Sequence, residues 1–300
     1  MNPTQFIWID GQYLPWQEAH VHLQTYTLHY GAGVFEGIRL YNTIKGPAIF
    51  CLDEHIDRLF DSFSVFEKEI PFSKKQVKDA VINLIKKNNV TAGYIRPIIF
   101  LGCGTMSLDI THAPVQVAIS MWPWAKHLGD DAISIKTSPF IRPHPRSTFV
   151  DKKINGHYIN SILAHMDAKK SGYDEALLLD YNNNLAEGAA ANIFLVKDNV
   201  LKTPQLGSIL PGITRAKILE IAKSLSIKTE EALLQKEDAY QADEVFFTGT
   251  AVEISPIKQI DNYLIGNGQI GHLTEKINTV FSSIISGKNI QFDHWLTYIN

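Results

Sequence analysis

A lysine pair, one acid and two sets of outward-facing backbone amides are the groups in this sequence whose types and settings suit chemistry. The stretch Phe149-Val150-Asp151-Lys152-Lys153-Ile154-Asn155-Gly156-His157-Tyr158 sets the lysines ahead of a helix. An amine there is either a solvated surface charge or a Schiff-base nucleophile for a carbonyl compound. Glu187-Gly188 follows a strand-like run and reads as a turn acid or as a functional carboxylate. At Pro211-Gly212-Ile213-Thr214-Arg215 a helix is expected from about Thr214. The amides of Ile213 and Thr214 would then face outward at the positive end of the helix dipole, a natural phosphate cradle. An ordinary N-cap at Thr214 is the plainer reading of the same residues. Thr248-Gly249-Thr250-Ala251 ends an apolar strand, a position shared by functional loops and simple turns. Two possible phosphate cradles, one amine and one acid suit a phosphate-bearing carbonyl cofactor.

Other chemistries fit less well. Gly31-Ala32-Gly33-Val34-Phe35-Glu36-Gly37 misses the dinucleotide fingerprint, with Glu36 where glycine should stand, and it lacks the Gly-Lys-Ser/Thr of a P-loop. It reads as a turn before a strand. The histidines, His20 and His22 included, do not fall into a metal-ligand spacing, so no metal is expected. Cys51 lies in an apolar run and reads as a small buried hydrophobe; with Cys103 it makes no CxxC. A net charge of -3 gives no reason to expect nucleic acid or an anionic membrane as partner. No uncharged apolar run reaches membrane-spanning length, and the first residues lack the regions of a signal peptide, so a reducing cytoplasm is the expected address.

The elements that must carry these groups follow from periodicity. A hairpin is expected at Phe6–Leu14 around Asp10-Gly11, then strands at Val34–Tyr41 and Ala48–Leu52 and a helix from about Asp53 to Phe66. Ser73-Lys74-Lys75-Gln76 is a capping box, and Val77, Ala80, Val81, Leu84 and Ile85 behind it share one helical face. Strands Tyr94–Leu101 and Val115–Met121 close this half. Trp122-Pro123-Trp124 opens a break whose tryptophans suit a pocket-lining connection better than a plain linker. Beyond it come a strand at Ala132–Thr137, an irregular loop from Pro139 to Arg146, and a helix from about His157 to Lys170 ending at Gly172. Strands around Asn182-Asn183-Asn184, a hairpin at Asp198-Asn199, the helix after Gly212, strand Glu244–Thr248, β segments to about Ile265 and a helix near Leu273–Ile285 complete the pattern. This is an α/β (α+β) arrangement with a smaller domain at 1–122, an interdomain loop at 123–131 and a larger domain at 132–300.

In order, these pieces resemble the class IV aminotransferases, and most of all the branched-chain amino acid aminotransferases. The likeness runs from about Ile7 to Ile285. Its carriers are His29-Tyr30-Gly31, Val34-Phe35-Glu36-Gly37-Ile38-Arg39, Glu54-His55-Ile56-Asp57-Arg58-Leu59, Tyr94-Ile95-Arg96-Pro97 and Pro123-Trp124, and most strongly Glu187-Gly188-Ala189, Leu210-Pro211-Gly212-Ile213-Thr214-Arg215 and Gly249-Thr250-Ala251-Val252-Glu253-Ile254. The resemblance implies PLP fold type IV, two domains with pyridoxal 5'-phosphate (PLP) at their interface, and a homodimer or a trimer of dimers.

Carried over residue by residue, the resemblance makes Lys153 the lysine that holds the cofactor covalently and then shuttles the proton. Tyr158 would hydrogen-bond the cofactor phenolate oxygen and Glu187 would pair with the ring nitrogen. Arg58, the amides of Ile213 and Thr214, and Thr250 would hold the phosphate, with Leu210 packed on the ring. Phe35, Trp124, Tyr158 and Val252, with Tyr30 from the other subunit, would line an apolar side-chain pocket. Tyr94 and the amides of Thr250 and Ala251 would grip the α-carboxylate, and Arg96 would reach the second carboxylate of glutamate or 2-oxoglutarate. The implied reaction moves the amino group between branched-chain L-amino acids (Leu, Ile, Val) and 2-oxoglutarate.

Three departures bear on partner choice. His127 stands where close relatives often have tyrosine, Ala191 replaces a frequent glutamate, and the loop Gly104-Thr105-Met106-Ser107-Leu108 lacks the usual Gly-Val-Asn-Pro. The competing readings are a sister activity (D-amino-acid or (R)-amine transamination, or aminodeoxychorismate lyase chemistry) and a PLP-binding protein without turnover.

Overall fold

The computed structural model describes residues 4–124 and 131–299, so His127 and most of the 123–131 connection lie outside the described residues. The chain divides into two compact units: Met1–Ala125 with Lys152–His157 and Ile284–Asn300, and Lys126–Asp151 with Tyr158–Ser283. The lysine-bearing segment therefore packs with the first unit. Most of the later chain forms the second.

The first unit is built on an antiparallel sheet. The hairpin Phe6–Ile9 and Gln12–Pro15 turns at Asp10-Gly11 with positive φ at both residues, as its sequence predicts. Next along the sheet come Val115–Trp122, Gly93–Leu101, Ile38–Thr43, Gly46–Phe50 and, at the edge, Leu296–Tyr298. Two helices cover it. Lys74–Asn88 starts at the expected capping box, with Ser73 and Gln76 exchanging bonds, and buries the expected Val77, Ala80, Val81, Leu84 and Ile85. Leu52–Phe63 buries Leu52, Ile56, Leu59 and Phe63 on one face, at helical spacing, and continues as a single 3-10 turn to Phe66. These side chains meet Val34, Ile38, Leu40, Ile49 and Ile95 in one core.

The continuous strand expected at Val34–Tyr41 is instead two strands, Gly33–Phe35 and Ile38–Thr43, both pairing with Gly93–Leu101. Glu36 and Gly37 form the break. Glu36 is fully buried, and its backbone N–H still reaches the Pro97 carbonyl. A buried carboxylate with partners outside the ladder breaks the strand that the flanking apolar residues favour.

The second unit carries a nine-stranded mixed sheet in which Leu185–Gly188, Asn192–Lys197, Glu244–Gly249 and Glu253–Ile260 lie close together. Its core joins Ile135, Leu177, Ile193, Leu195, Val245, Phe247 and Ile257. Helix Tyr158–Lys170 ends before Gly172, which takes the left-handed conformation expected of it. The helix expected from Thr214 begins one residue earlier, at Ile213, and its N-cap is Gly212. Thr214 is thus a buried residue of the first turn and not the cap. Strand Lys228–Ala232, absent from the sequence reading, pairs in parallel with Val200–Pro204. Its Lys-Thr-Glu-Glu run is mostly exposed and shows no apolar alternation to reveal it. Among the described residues no helix is long and apolar enough to cross a membrane, and no cluster of His, Cys, Asp or Glu could hold a metal ion.

Candidate active site

Each unit gathers one group of the predicted side chains. In the first, Lys153 sits in an extended segment bonded to the break in the sheet. Its N–H donates to Ser62 Oγ at 3.1 Å and its carbonyl accepts from the Phe35 N–H at 3.2 Å, while Ile154 bridges Val34. Lys153 Nζ lies 4.9 Å from the centroid of the Phe35 ring. Lys152, one residue earlier, is ion-paired with Asp61 at 2.7 Å. The alternation of an extended chain thus gives the two lysines different neighbours.

Arg58 is half-buried on helix Leu52–Phe63. Its Nε reaches Glu36 Oε1 at 2.6 Å and its Nη2 reaches Oε2 at 3.0 Å, a two-point grip on one carboxylate. His55, one turn earlier on the same face, bonds Oε2 through Nδ1 at 2.7 Å, and the Gly37 N–H donates to the same oxygen at 3.3 Å. Burial pushes the Glu36 carboxyl up, but Arg58 and His55 outweigh it and hold the group well below the usual carboxylate range. Burial dominates at His55 and lowers its proton affinity, with Glu36 opposing. Against the Glu36 carboxylate, which can only accept, the His55 Nδ1 is the donor.

Tyr94, Trp122 and Trp124 form an aromatic cluster with centroids 4.9–5.6 Å apart. Gly37 is what admits Tyr94, because a Cβ there would overlap the Tyr94 hydroxyl. The Arg96 guanidinium lies 4.5 Å from the Phe35 ring centroid, 5.5 Å from Tyr94 and 5.6 Å from Trp122. It makes no ion pair among the described residues, and its buried Nε has no hydrogen-bond partner there. Tyr30 is exposed, and its hydroxyl donates to the Met106 carbonyl in the 104–108 loop at 3.0 Å.

In the second unit, one end of the sheet assembles the acid and the helix start. Glu187 is buried, and its Oε1 is 2.8 Å from Arg142 Nε and accepts from the Leu210 N–H at 3.2 Å. Its Oε2 accepts from Asn192 Nδ2 at 2.9 Å. Asn192 faces Glu187 across one strand pair and Thr248 across the next, and Nδ2 also donates to the Leu210 carbonyl at 3.0 Å. Leu210 is thereby held to the sheet on both sides of its backbone. Gly212 must be glycine, since a Cβ there would overlap Asn192 Oδ1. As N-cap it offers the following helix no side-chain bond, so no cap side chain covers the amides of Ile213 and Thr214. Thr250 and Ala251, half-buried, and Val252, buried, form the tip between paired strands Glu244–Gly249 and Glu253–Ile260. Tyr158 is half-buried at the first residue of its helix.

The sequence reading did not single out Glu36, Arg142 or Asn192 as functional, and marked Trp122 only as one of two tryptophans suited to a pocket-lining connection. His55 and Arg58, three apart on one helix, carried a signal that both face the same partner. Asn192 follows Glu187 at the distance of a tight strand reversal. Arg142 lies in an irregular loop, where no periodicity marks a direction.

The lysine segment stands in the first unit, and the buried acid and uncapped helix start in the second. The Amino-transferase class IV family matches residues 33–260, and the chain belongs to that family. It is 41% identical over 297 residues to the branched-chain-amino-acid aminotransferase of Pseudomonas aeruginosa, covering 98% of this chain and 97% of that protein. The crystal structure of the Escherichia coli branched-chain amino acid aminotransferase superposes with a TM-score of 0.97 at 38% identity, covering 99% of this chain and 100% of that one. The branched-chain amino acid aminotransferase from Thermobaculum terrenum, in its PLP form, gives 0.95 at 29% identity, covering 100% of both chains. The fold is thus the class IV aminotransferase fold that the motifs implied.

Proposed function

We propose that this chain is a PLP-dependent transaminase that moves the amino group between branched-chain L-amino acids and 2-oxoglutarate, giving branched 2-oxo acids and L-glutamate. The observation that carries the substrate assignment is Arg96: one cation without an ion-pair partner among the described residues, faced by the rings of Phe35, Tyr94 and Trp122. Aromatic faces stabilise a guanidinium while presenting apolar surface. Such a wall suits a branched aliphatic side chain, and it also suits a second carboxylate that pairs with the cation.

The residues present fit the cofactor. Gly212 leaves its helix start open to a phosphate, and the carboxylate of Glu187, held by Arg142, Asn192 and the Leu210 amide, suits a protonated ring nitrogen. When bound, PLP supplies an electron sink for the substrate Cα and stores the amino group between the two half-reactions. Glu187 keeps the proton on the ring nitrogen. Lys153 would anchor the cofactor, and its amine would hold and move the proton of the substrate Cα. Arg58, the amides of Ile213 and Thr214, and Thr250 would hold the phosphate, with Leu210 beside the ring and Tyr158 donating to the ring oxygen. Tyr94 and the amides of Thr250 and Ala251 orient the α-carboxylate; Phe35, Trp124 and Val252 bound the side-chain pocket. We place Tyr30 and the 104–108 loop at a second copy's pocket in a homodimer, and the enzyme in the cytoplasm.

The test is a spectrum of the purified protein. The cofactor band should bleach with L-leucine and return with 2-oxoglutarate. A band indifferent to L-leucine but bleached by D-alanine or an amine would move the function to a sister activity, and the lack of any band after added PLP would overturn the reading.

A further inference from the structure

The Glu36–His55–Arg58 cluster has no role in the chemistry above beyond Arg58 itself. Glu36 is a fully buried carboxylate at the break between two strands, and its side-chain partners are all donors from this chain. We propose that Glu36 is the positioning residue for Arg58, fixing the guanidinium in the one orientation that grips the cofactor phosphate, with His55 holding Glu36 in turn. This rests on the reading above that Arg58 binds phosphate.

The geometry supports a device for orientation more than for stability alone. An unrestrained arginine on a helix samples many rotamers, and a ligand must remove that freedom on binding. Engaging Nε and Nη2 together on one carboxylate fixes the plane of the guanidinium and turns its remaining edge, with Nη1, away from Glu36. The carboxylate is itself pinned from two further directions, by the His55 ring and the Gly37 amide. His55 is committed to this contact: with Nδ1–H given to Glu36, its Nε2 is buried with no partner among the described residues. A buried ring that forgoes one hydrogen bond is a cost that general packing would remove with a leucine. The strand break lets Glu36 point inward to meet His55 and Arg58.

The experiment uses the full-length protein stripped of cofactor and compares dissociation constants for PLP and for pyridoxal, which lacks the phosphate. The preference for PLP over pyridoxal reads the phosphate grip alone. Glu36→Gln should lower that preference at least ~10-fold through weaker PLP binding, with pyridoxal affinity nearly unchanged. Arg58→Gln should lower it as far or further, and the double variant should fall no lower than Arg58→Gln, because Glu36 acts through Arg58. If Glu36→Gln fails to fold, Glu36→Asp keeps the charge, shortens its reach by one methylene, and should lower the preference in the same way. Equal weakening of both ligands by either Glu36 variant would make the cluster merely structural and overturn the proposal. A preference lowered by Arg58→Gln but untouched by the Glu36 variants would overturn the positioning role and leave the phosphate reading standing. A preference untouched by Arg58→Gln would remove both.

Discussion

Glu36 and Glu187 are buried carboxylates, one in each unit, and each faces an arginine. Glu36 draws its side-chain partners from a single helix and from the next residue, Gly37. Glu187 draws its own from a loop at Arg142, a strand start at Asn192 and a turn at Leu210. The first arrangement is local and closed on itself. The second ties three separate segments to one sheet end and so fixes the acid, the Leu210 backbone and the helix start together. On the roles proposed above, the carboxylate that orients a neighbour is served by one element, and the one assigned to the cofactor ring is braced by several.

Measurements can break that contrast. The largest effect belongs to the lysine assigned to the cofactor. Lys153→Ala should abolish transamination, a loss of at least ~10²–10⁴-fold in turnover, whereas Lys152→Ala, which removes the contact with Asp61, should stay near wild type in steady-state assays. Equal loss in both would undo the assignment. Next, Glu187→Gln should lower kcat by ~10²–10³-fold while retaining the cofactor, the reverse of the pattern at Glu36. Finding cofactor loss at Glu187 and turnover loss at Glu36 would exchange the two roles.

Arg96→Leu sharpens the substrate side. The KM for glutamate should rise ~10–100-fold and that for leucine much less, since only the dicarboxylate loses a charge partner. A parallel rise in both would remove Arg96 from the specificity argument.

Protonation offers a smaller test. The folded values of Glu36 and His55 both lie below their ordinary ones. Their contribution to stability is therefore whole above about pH 6.5, the unfolded histidine value, and drains as pH falls, first through His55 and then, in strong acid, through Glu36. His55→Asn keeps a donor for Glu36 and removes the titration. Its melting temperature should fall less than wild type between about pH 7 and pH 5, a gap of roughly 2–4 °C for each kcal/mol at this length. The smallest effect is a control at a helix cap outside both carboxylate clusters: Ser73→Ala should cost about 1 kcal/mol in denaturant melts and leave kcat unchanged.

Legibility in the sequence followed the same division. The capping box at Ser73, the apolar face behind it from Val77 to Ile85 and the Asp10-Gly11 hairpin are set by residues a few positions apart, and the pattern states them directly. The types of Lys153 and Glu187 were visible, and the motif resemblance supplied their roles. Arg142 was not legible, because its ion pair spans a loop with no period. Glu36 was noticed mainly as the residue that spoils a nucleotide fingerprint, although that same mismatch is the anchor of the cluster. The strand Lys228–Ala232 was hidden by its exposed, charged composition.

The pairing of Leu296–Tyr298 with Ala48–Phe50, together with the Cys51 N–H bond to the Trp295 carbonyl at 2.7 Å, has a consequence for the nascent chain. At ordinary ribosomal speeds, roughly tens of seconds separate the emergence of Phe50 from that of Leu296. Throughout that interval the strand Gly46–Phe50 offers an open edge, with the start of the arginine-bearing helix beside it. An edge made early is thus completed late. The growing polypeptide depends on that later segment, or on a chaperone until the segment arrives, to keep the edge from pairing with a neighbour on the same polysome.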